Sequence, residues 1–415
     1  MTMESVPDEV WVTGIGLVSS IGEGTQAHWQ HLNTGKPPVV NIDEETLAPY
    51  PFHPQIDVDL ATQIPKRGDQ RQMGSWQRLG TYAAGLALTD ADLAHKPEFL
   101  TEMNLVVAAG AGRRDEAVDT EILKGYEKAE NPSAFLNESL SNELRPTLFL
   151  AQLTNLLAGN ISIVHGVSGT SRTVMGEEIG GITALQTATR QIQSGQGDLF
   201  LVGGAYFAER LDLLLTLEMY NAVWKNGYKP VWARDDGAGG TILGTAGAFL
   251  VLESRQHAEA RGAKPYARIK SILGDRCARN EGESTAIAKA QFEELRKDIP
   301  AGPLAILSGA SGVQPATNEE RAFLESLSKE GFDPIYRAYG SVFGQSIEAH
   351  FPVGVALAAL ALSKSDFYQP FDASGHEKAY LGNARQILLN CWGAWRGEGM
   401  ALIDTPSDTD LRGAQ

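Results

Sequence analysis

The chain has 415 residues, of which 43% are hydrophobic, enough for two to four domains' worth of buried core. Its net charge of −16 argues against nucleic acid or an anionic membrane surface as a partner, because both would repel it. Two cysteines cannot build a disulfide framework and indicate a reducing compartment. We expect no signal peptide, and the apolar run 353–362 is shorter than the ~20 residues of a membrane span. These features predict a cytoplasmic enzyme or enzyme relative.

Strand-like apolar runs alternate with helical patterns along the whole chain, which predicts an α/β fold. Residues 10–13 are predicted to form a strand that breaks at the glycines of 14–16, and a helix is predicted over about 24–32. Residues 36–75 contain six prolines and little periodicity, which predicts a long structured loop or insertion. The polar tail 406–415 is predicted to be frayed.

An internal repeat is more informative. Segment 105–112 resembles 304–312, and further on 199–205 resembles 387–394; each is a buried-strand pattern ending in a glycine turn. One such pair would be ordinary in an α/β protein, whereas two pairs in the same order favour a duplicated unit. We therefore predict an N-terminal half over 1–253 and a C-terminal half over 254–405.

Three glycine-rich segments invite comparison with phosphate-binding loops. In 14–19, Ser19 stands where a dinucleotide fingerprint needs its third glycine, and no Gly-Lys-Ser/Thr follows any of the three. Segment 237–240 lies between strand-like runs, and 110–112 follows a strand. We interpret all three as turns and expect no cofactor and no metal site.

A strand, a sharp turn and a helix are predicted over 171–175, Gly176 and 177–193. Many enzymes mount a nucleophile on such an elbow, above the positive end of the helix dipole. Here the elbow carries Glu177 and Glu178 instead of serine or cysteine. Taken alone, carboxylates in a first helical turn are ordinary favourable charges worth ~0.3–1 kcal/mol.

Four segments resemble β-ketoacyl–acyl-carrier-protein synthases. Residues 12–22 resemble the opening of that family, 158–171 the segment before its active-site elbow, 195–205 the strand after the elbow helix, and 244–263 the segment joining its halves. The matches span nearly the whole chain. The resemblance implies a thiolase-like α-β-α-β-α sandwich of two duplicated halves, in agreement with the internal repeat.

The chemistry of this family requires a cysteine that takes the acyl chain as a thioester. It also requires two histidines that assist malonyl decarboxylation and stabilise the enolate or thioester oxygen. In an ungapped match, the cysteine position falls on Glu178, the first histidine on Ala310 and the second on Gln345. The resemblance therefore implies that all three catalytic side chains are absent and that this chain alone does not condense acyl groups.

The loop formed by Trp392, Gly393 and Ala394 matches the gate of the family's pocket, with Ala394 in place of the gating phenylalanine. We hypothesise that Glu178 mimics the cysteine thiolate electrostatically and closes the vestigial pocket, paired with Arg172.

Other side chains are poor substitutes for the missing ones. Cys391 follows Asn390 in a loop that the family places near the pocket, and Cys277 lies outside any family motif; both are expected to be structural. His165 and His350 fall closest to family motifs. His350 is expected on the helix after Gln345, unable to face the same pocket.

Some members of the family lost the cysteine and act as the silent half of a heterodimer, as chain-length factors do when they shape the acyl tunnel of an active ketosynthase. Residues 70–73 and 171–178 also look like the ketosynthase-like partner in α-proteobacterial synthesis of the very long acyl chain of lipid A. We predict that role, in a heterodimer with an active ketosynthase and with acyl carrier protein and a long acyl chain as further partners. The alternatives are a malonyl decarboxylase, whose known examples keep their histidines, and a homodimeric acyl-binding scaffold.

Acyl carrier proteins are acidic, so a chain of net charge −16 attracts them poorly as a whole. Docking then requires either a local basic patch, such as Arg113 and Arg114 or Lys66 and Arg67, or the active partner subunit.

Overall fold

The computed structural model describes residues 8–42, 47–110, 112, 115–144, 150, 152–395 and 397–406. Its strands are β1 (Val10–Ser19), β2 (Gly22–Glu23), β3 (Asn41–Ile42), β4 (Pro51–His53), β5 (Asn104–Ala108), β6 (Ser171–Val174), β7 (Leu199–Tyr206), β8 (Leu243–Gly244), β9 (Ala246–Ser254), β10 (Ala267–Asp275), β11 (Gly302–Ser308), β12 (Phe332–Ala338), β13 (Gln386–Trp392) and β14 (Glu398–Asp404). Its α-helices are α1 (Gly24–Asn33), α2 (Arg67–Gln72), α3 (Ser75–Asp90), α4 (Pro97–Leu100), α5 (Glu116–Tyr126), α6 (Pro132–Glu143), α7 (Leu156–His165), α8 (Glu178–Gln193), α9 (Leu211–Met219), α10 (Arg255–Ala260), α11 (Glu283–Leu295), α12 (Ala316–Ser326), α13 (Gly340–Phe343) and α14 (His350–Ser363). None of the helices in these residues has the length and apolar character to cross a membrane.

The main sheet repeats one strand order twice. Its strands follow the path β12-β11-β13-β14-β10-β1-β9-β7-β5-β6, which divides at the antiparallel β1–β10 pair into two runs of five. We number the five strands of each run in chain order. Starting from the β1–β10 pair and moving to the outer edge, both runs then have the order first, fifth, fourth, second and third. The second strand is parallel to its neighbours, and the fifth is antiparallel to its neighbours, in both runs. The predicted duplication is therefore present in the topology.

The segments that resemble each other in sequence occupy equivalent places in the two runs. β5 and β11 are the second strands, and β7 and β13 are the fourth. The boundary near residue 254 stays a prediction.

Two helices lie between the runs and form the middle layer. α8 and α14 pack against strands of both runs, while α3 covers the outer face of the first run and α11 and α12 cover that of the second. Residues 350–362 of α14 are all buried. A helix buried on all sides has no polar face, which explains its continuous apolar sequence. The apolar run seen in the sequence is thus a central core helix, and the layers follow the order α-β-α-β-α.

The first predicted strand does not break at its glycines. β1 continues through Gly14 and Gly16, with a register shift between Val12 and Gly14. A Cβ atom on Gly14 would lie 2.5 Å from the carbonyl oxygen of Ala87. A Cβ atom on Gly16 would overlap the carbonyl oxygen of Ala83. These glycines are therefore needed for the close approach of α3 and do not form a turn.

The other loop predictions are mostly confirmed. Gly237 and Gly239 have positive φ values, as expected of a turn, and Gly110 follows β5. The predicted insertion 36–75 contains short elements, including β4, which pairs with β8 in a small three-stranded sheet. Residues 407–415 of the predicted tail lie outside the described residues.

Candidate functional site

The predicted elbow lies where β6 meets helix α8. β6 ends at Val174, Gly176 has a φ of 150°, and Glu177 has φ 56° and ψ −127° immediately before α8 begins at Glu178. A positive φ on a residue other than glycine is uncommon and is a form of backbone strain that concentrates at functional turns. The strand, turn and helix predicted here are confirmed.

Glu178 is turned into the protein at the start of α8. It is 4% exposed, and its Oε1 accepts a 2.7 Å hydrogen bond from the backbone N–H of Ala394. Its Oε2 is buried and lacks a hydrogen-bond partner among the described residues. Burial raises the pKa of this carboxyl from 4.5 to about 7, although the Ala394 N–H and the charge of Arg279 act in the opposite direction.

The arginine whose charge acts on Glu178 is Arg279, so the predicted pairing with Arg172 is wrong. Arg172 lies on the edge strand β6 with an exposed side chain, and it forms no ion pair in the part of the chain that the structure describes. Arg279 reaches the site from the segment after β10. No motif contains it, and the sequence carried no signal of its role.

Arg279 holds the loop after β13, and we call residues 393–395 of it the gate loop. Trp392, predicted in this loop, is the last residue of β13. The Nε of Arg279 donates a 3.0 Å hydrogen bond to the carbonyl of Trp395, and a guanidinium nitrogen donates to the carbonyl of Gly393. The same guanidinium forms a 2.5 Å ion pair with the buried carboxylate of Glu398. The gate loop is therefore tied on one side to Glu178 and on the other to Arg279.

Ala310, predicted to match the first catalytic histidine, adjoins a buried polar network. Its N–H donates to the hydroxyl of Ser308 at 3.2 Å, which donates at 2.7 Å to the carboxylate of Glu320. The side-chain amide of Asn390 donates to the same carboxylate at 2.9 Å. Burial raises the pKa of Glu320 to about 8. A methyl group thus stands at the position predicted to match the imidazole, and the nearby titratable group, which sequence reasoning missed, is the buried carboxyl of Glu320.

The second vestigial histidine position, Gln345, is fixed through its backbone. Its N–H donates to the carbonyl of Ile242, and its carbonyl accepts from the N–H of Gly244. Its side chain is buried, and neither amide atom has a hydrogen-bond partner among the described residues. A neutral amide at this position cannot exchange a proton as a histidine does.

Glu348 is a second buried carboxyl near the elbow that sequence reasoning missed. Its backbone and side chain pack against the first turn of α8, and its Oε1 occupies the space that a Cβ on Gly110 would need. Beside it remains a cavity of about 10 Å³, whose walls include Trp76 and Tyr206. Such a space holds at most about one water molecule. Burial raises the pKa of Glu348 to about 7.

The two histidines singled out in the sequence, His165 and His350, lie at helix ends. His350 lies beside the site, since its Nε2 is 3.2 Å from the carbonyl of Gly309, the residue before Ala310. His350 begins α14, as predicted, and the expectation that it cannot face the same pocket as Gln345 stays a prediction. Complete burial lowers the pKa of His350 to about 3, so the ring is neutral. His165 ends α7.

A cavity of about 660 Å³ opens beside the gate loop. It is lined by Tyr220, Ala222, Cys277, Ala278, Arg279, Val313, Ala394 and Trp395. Cys391, by contrast, lies in strand β13 instead of the expected loop, and it is 3% exposed. Burial raises the pKa of its thiol far above the usual range. The gate loop therefore borders this cavity, whereas Glu178 does not line it.

The elbow thus presents a carboxyl with neither a thiol nor a titrating imidazole at the matched positions. No cluster of three or more histidine, cysteine, aspartate or glutamate side chains suited to a metal ion occurs within the described residues. Lys66 and Arg67, at the start of α2, are exposed, whereas Arg113 and Arg114 lie outside the described residues.

Comparison with known proteins agrees with this architecture. The family model described as beta-ketoacyl synthase, N-terminal domain, matches residues 7–258. The 3-oxoacyl-[acyl-carrier-protein] synthase 2 of Vibrio cholerae is 27% identical over 268 residues, covering 63% of this chain and 61% of the relative. The ishigamide ketosynthase/chain length factor has a TM-score of 0.76 at 21% identity, covering 97% of this chain and 100% of that chain. A beta-ketoacyl synthase from Burkholderia phymatum has a TM-score of 0.78 at 16% identity, covering 96% and 100%.

The solved structures confirm the predicted thiolase-like fold over almost the whole chain. The sequence match is shorter, since it spans about 61% of the length of the curated relative. The family model covers more than half of the chain and includes the elbow. The chain belongs to the beta-ketoacyl synthase family.

Proposed function

We propose that this chain is a catalytically silent ketosynthase-like subunit that pairs with an active β-ketoacyl-acyl-carrier-protein synthase in acyl chain elongation. The observation that carries the proposal is the burial and hydrogen bonding of Glu178. The residue at the position of the acyl-accepting cysteine is a buried carboxylate that accepts a hydrogen bond from the gate loop.

The chemistry at the elbow supports silence. A carboxylate cannot hold an acyl chain as a thioester, and when ionised it repels the malonyl group that must approach for condensation. Ala310 has no polar side-chain atom, and the amide of Gln345 does not titrate, so neither matched position can carry out the proton transfers of decarboxylation. The same absences weigh against the alternative of a malonyl decarboxylase.

Exposed apolar side chains support a partner subunit at one edge of the sheet. Of the eleven large hydrophobic side chains exposed among the described residues, six lie between residues 116 and 175: Leu123, Tyr126, Leu140, Leu150, Ile163 and Met175. Of these, Ile163 is on α7, which packs against the edge strand β6, and Met175 directly follows β6. An open strand edge with apolar neighbours is typical of a pairing surface. A cysteine-bearing paralogue of the same fold offers a matching edge, and the name of one fold relative, a ketosynthase/chain length factor, joins the two kinds of subunit.

A basic surface supports an acidic carrier protein as a further partner. Lys66, Arg67 and Arg71 are exposed around α2, and none of them forms an ion pair within the described parts of the chain. On a chain of net charge −16, such a patch gives a local attraction that the whole molecule lacks. The curated relative from Vibrio cholerae is named for an acyl-carrier-protein substrate.

The finer assignment, to synthesis of the very long acyl chain of lipid A, rests on the resemblance of residues 70–73 and 171–178 alone. The cytoplasmic location is proposed from the low cysteine count, which suits a reducing compartment. A homodimeric acyl-binding scaffold remains the second candidate, because the exposed edge at β6 suits a second copy as well as a paralogue.

A three-arm condensation assay tests the proposal. Malonyl and acyl carrier proteins are supplied to this chain alone, to a cysteine-bearing paralogue alone, and to both together. We expect no β-ketoacyl product from this chain alone, and from the pair a higher rate or longer product than from the paralogue alone. A β-ketoacyl product from this chain alone would overturn the proposal. So would a chain that neither changes the paralogue's products nor co-purifies with it, and that result would favour the homodimeric scaffold.

A further inference from the structure

Ala394 of the gate loop contacts both the elbow and the cavity of about 660 Å³. Its N–H donates a 2.7 Å hydrogen bond to Oε1 of Glu178, and the residue also lines the cavity, as do Trp395 and Arg279. Glu178 is 4% exposed and does not line the cavity. A displacement of the gate loop that breaks this hydrogen bond therefore opens the carboxylate to solvent from the cavity.

The hydrogen bonds that hold the gate loop differ in their response to pH. Arg279 donates to the carbonyls of Gly393 and Trp395, and its guanidinium stays charged at any pH in which the protein is used. The N–H of Gly393 donates at 2.9 Å to the carbonyl of Gly397, which does not titrate either. The bond from Ala394 ends on a carboxyl group, so its acceptor changes charge when a proton is gained or lost.

The site of Glu178 solvates a negative charge poorly. Its Oε2 is buried and has no hydrogen-bond partner among the described residues. Burial raises the pKa of the carboxyl from 4.5 to about 7. If the loop opens, water reaches both oxygens and the pKa returns toward its ordinary value. The closed loop therefore binds the proton of Glu178 more tightly than the open loop does.

Charged and titratable groups face Glu178 from each neighbouring element. The charge of Glu177 at the elbow raises the pKa of Glu178, and that of Arg279 lowers it. The thiol of Cys391 in β13 also faces Glu178, and it stays neutral because burial raises its pKa far above the usual range. Three further buried carboxyls adjoin Glu177 or Cys391: Glu320, Glu348 and Glu398. Arg279 is already paired with Glu398, so an ionised Glu178 has no cation of its own.

We propose that Glu178 and Ala394 form a proton-controlled latch that closes the gate loop over the elbow. With Glu178 protonated, the carboxyl group stays buried and the loop is closed. When Glu178 ionises, its proton passes to water, the hydrogen bond to Ala394 breaks, and the loop moves so that the carboxylate becomes hydrated. The cavity then extends to the elbow, and access from the cavity to the elbow increases above neutral pH.

The latch goes beyond the proposed function and does not depend on a partner subunit. It concerns the motion of one loop, and it requires neither condensation nor its absence. Its test uses this chain alone, without a substrate. Failure of the latch and failure of the heterodimer proposal are therefore separate results.

The two pKa values fix the size of the expected effect. The pKa of Glu178 is about 7 when the loop is closed and near 4.5 when the carboxylate is hydrated. Proton linkage then predicts that the ratio of open to closed loop increases ~10-fold between about pH 6 and about pH 8.5.

Hydrogen exchange of the full chain, resolved to single residues by fragmentation mass spectrometry, measures this ratio. Exchange rates of residues 393–395 are divided by the intrinsic rate at each pH, because exchange is itself base-catalysed. In the wild type, we expect protection of the Ala394 amide to fall ~10-fold from about pH 6 to about pH 8.5. Glu178→Gln keeps an uncharged acceptor, so its protection should not change with pH.

Glu348→Gln is the matched control. Glu348 is also a buried carboxyl near the elbow with a pKa raised to about 7, but it makes no hydrogen bond to the gate loop within the described residues. This variant should keep the pH dependence of the wild type. Circular dichroism checks the folding of both variants. The wild type also gives a test without any variant, since protection in the gate loop must fall more than protection in the core strand β1.

Two results would overturn the latch. One is a wild-type gate loop whose protection does not fall with pH more than that of β1. The other is a folded Glu178→Gln chain with the same pH dependence as the wild type. Loss of the pH dependence in Glu348→Gln, with Glu178→Gln unchanged, would assign the effect to the other carboxyl and would equally overturn the proposal.

Discussion

The carboxylate of Glu178 accepts a 2.7 Å hydrogen bond from the backbone N–H of Ala394. These residues stand where active relatives are expected to have the nucleophilic cysteine and the gating phenylalanine. In this chain the two positions are joined to each other, and Arg279 ties the far side of the same loop to Glu398. The site predicted to be vestigial therefore joins the elbow, the gate loop and β14 to one another.

The pKa of Glu178 leads to a prediction about pH. Burial raises this pKa from 4.5 to about 7, so the folded chain binds the proton more tightly than the unfolded chain. The resulting stability is complete below the unfolded pKa and is lost as the pH rises through about 7. Glu178→Gln keeps an acceptor for the Ala394 N–H and does not titrate. Its free energy of unfolding, relative to wild type, is expected to rise by up to ~3 kcal/mol between about pH 5 and about pH 8.5.

Urea denaturation of both proteins at the two pH values measures this change. The buried carboxyls of Glu320 and Glu348 titrate in both proteins, so their contributions cancel in the difference. Glu102→Gln, at an exposed carboxylate, controls for the change in net charge. A wild-type-minus-variant difference that does not vary with pH would contradict the burial of a titrating Glu178.

Arg279 is expected to be the main support of the gate loop. Arg279→Ala removes two hydrogen bonds to loop carbonyls and leaves the carboxylate of Glu398 buried without its cation. Removing one partner of a buried pair costs about 3–5 kcal/mol. We therefore expect a loss of stability of that order and faster amide hydrogen exchange in residues 393–395. Arg279→Lys should be intermediate, because one ammonium cannot reproduce the planar guanidinium fork.

Arg276→Ala is the matched control, since Arg276 is an exposed arginine three residues away. It should leave both the exchange rates of the gate loop and the unfolding free energy close to those of wild type. Equal exchange in Arg279→Ala and wild type would show that the loop does not depend on this residue.

The elbow could be predicted from the sequence, whereas the residues around it could not. The β6–α8 turn is a local feature, since a strand pattern, Gly176 and a helical period follow each other directly in the chain. Glu178 follows from the register of the family motifs. Arg279, Glu320 and Glu348 meet their partners only through long-range folding and belong to no motif the sequence displays. Their importance comes from burial, which a single sequence does not reveal at a charged residue.

At the glycines of β1, the sequence suggested a local feature that the structure does not contain. Gly14 and Gly16 suggest a turn because glycine commonly marks one, yet they lie within a ten-residue strand. The missing information was the helix α3, whose backbone approaches too closely for any Cβ atom. The choice between a turn and a close approach depends on a neighbour about 70 residues away in the chain, at Ala83 and Ala87.

Gly110 and Glu348 are expected to be energetically coupled. A Cβ on Gly110 would overlap the carboxylate of Glu348, which is fully buried and has little room to move. Gly110→Ala should therefore cost ~1–3 kcal/mol, typical of overpacking. In a Glu348→Ala background the same change should be almost neutral, giving a coupling energy of similar size. Urea unfolding of the two single variants and the double variant measures it. Strictly additive costs would contradict the contact.

The edge at β6 leads to the last prediction, on assembly. Ile163 is 72% exposed on α7, and Met175 is 64% exposed just after β6. If a partner covers this edge, Ile163→Asp and Met175→Glu place a charge in the interface and should weaken association with the cysteine-bearing paralogue at least ~10-fold. Neither change should alter the melting temperature of the isolated chain, because both side chains are already in water. Leu381→Glu is the matched control, since Leu381 is 86% exposed in the segment before β13, in the other half of the sheet. Equal weakening by Leu381→Glu, or unchanged co-purification of the Met175→Glu chain, would move the partner to another surface.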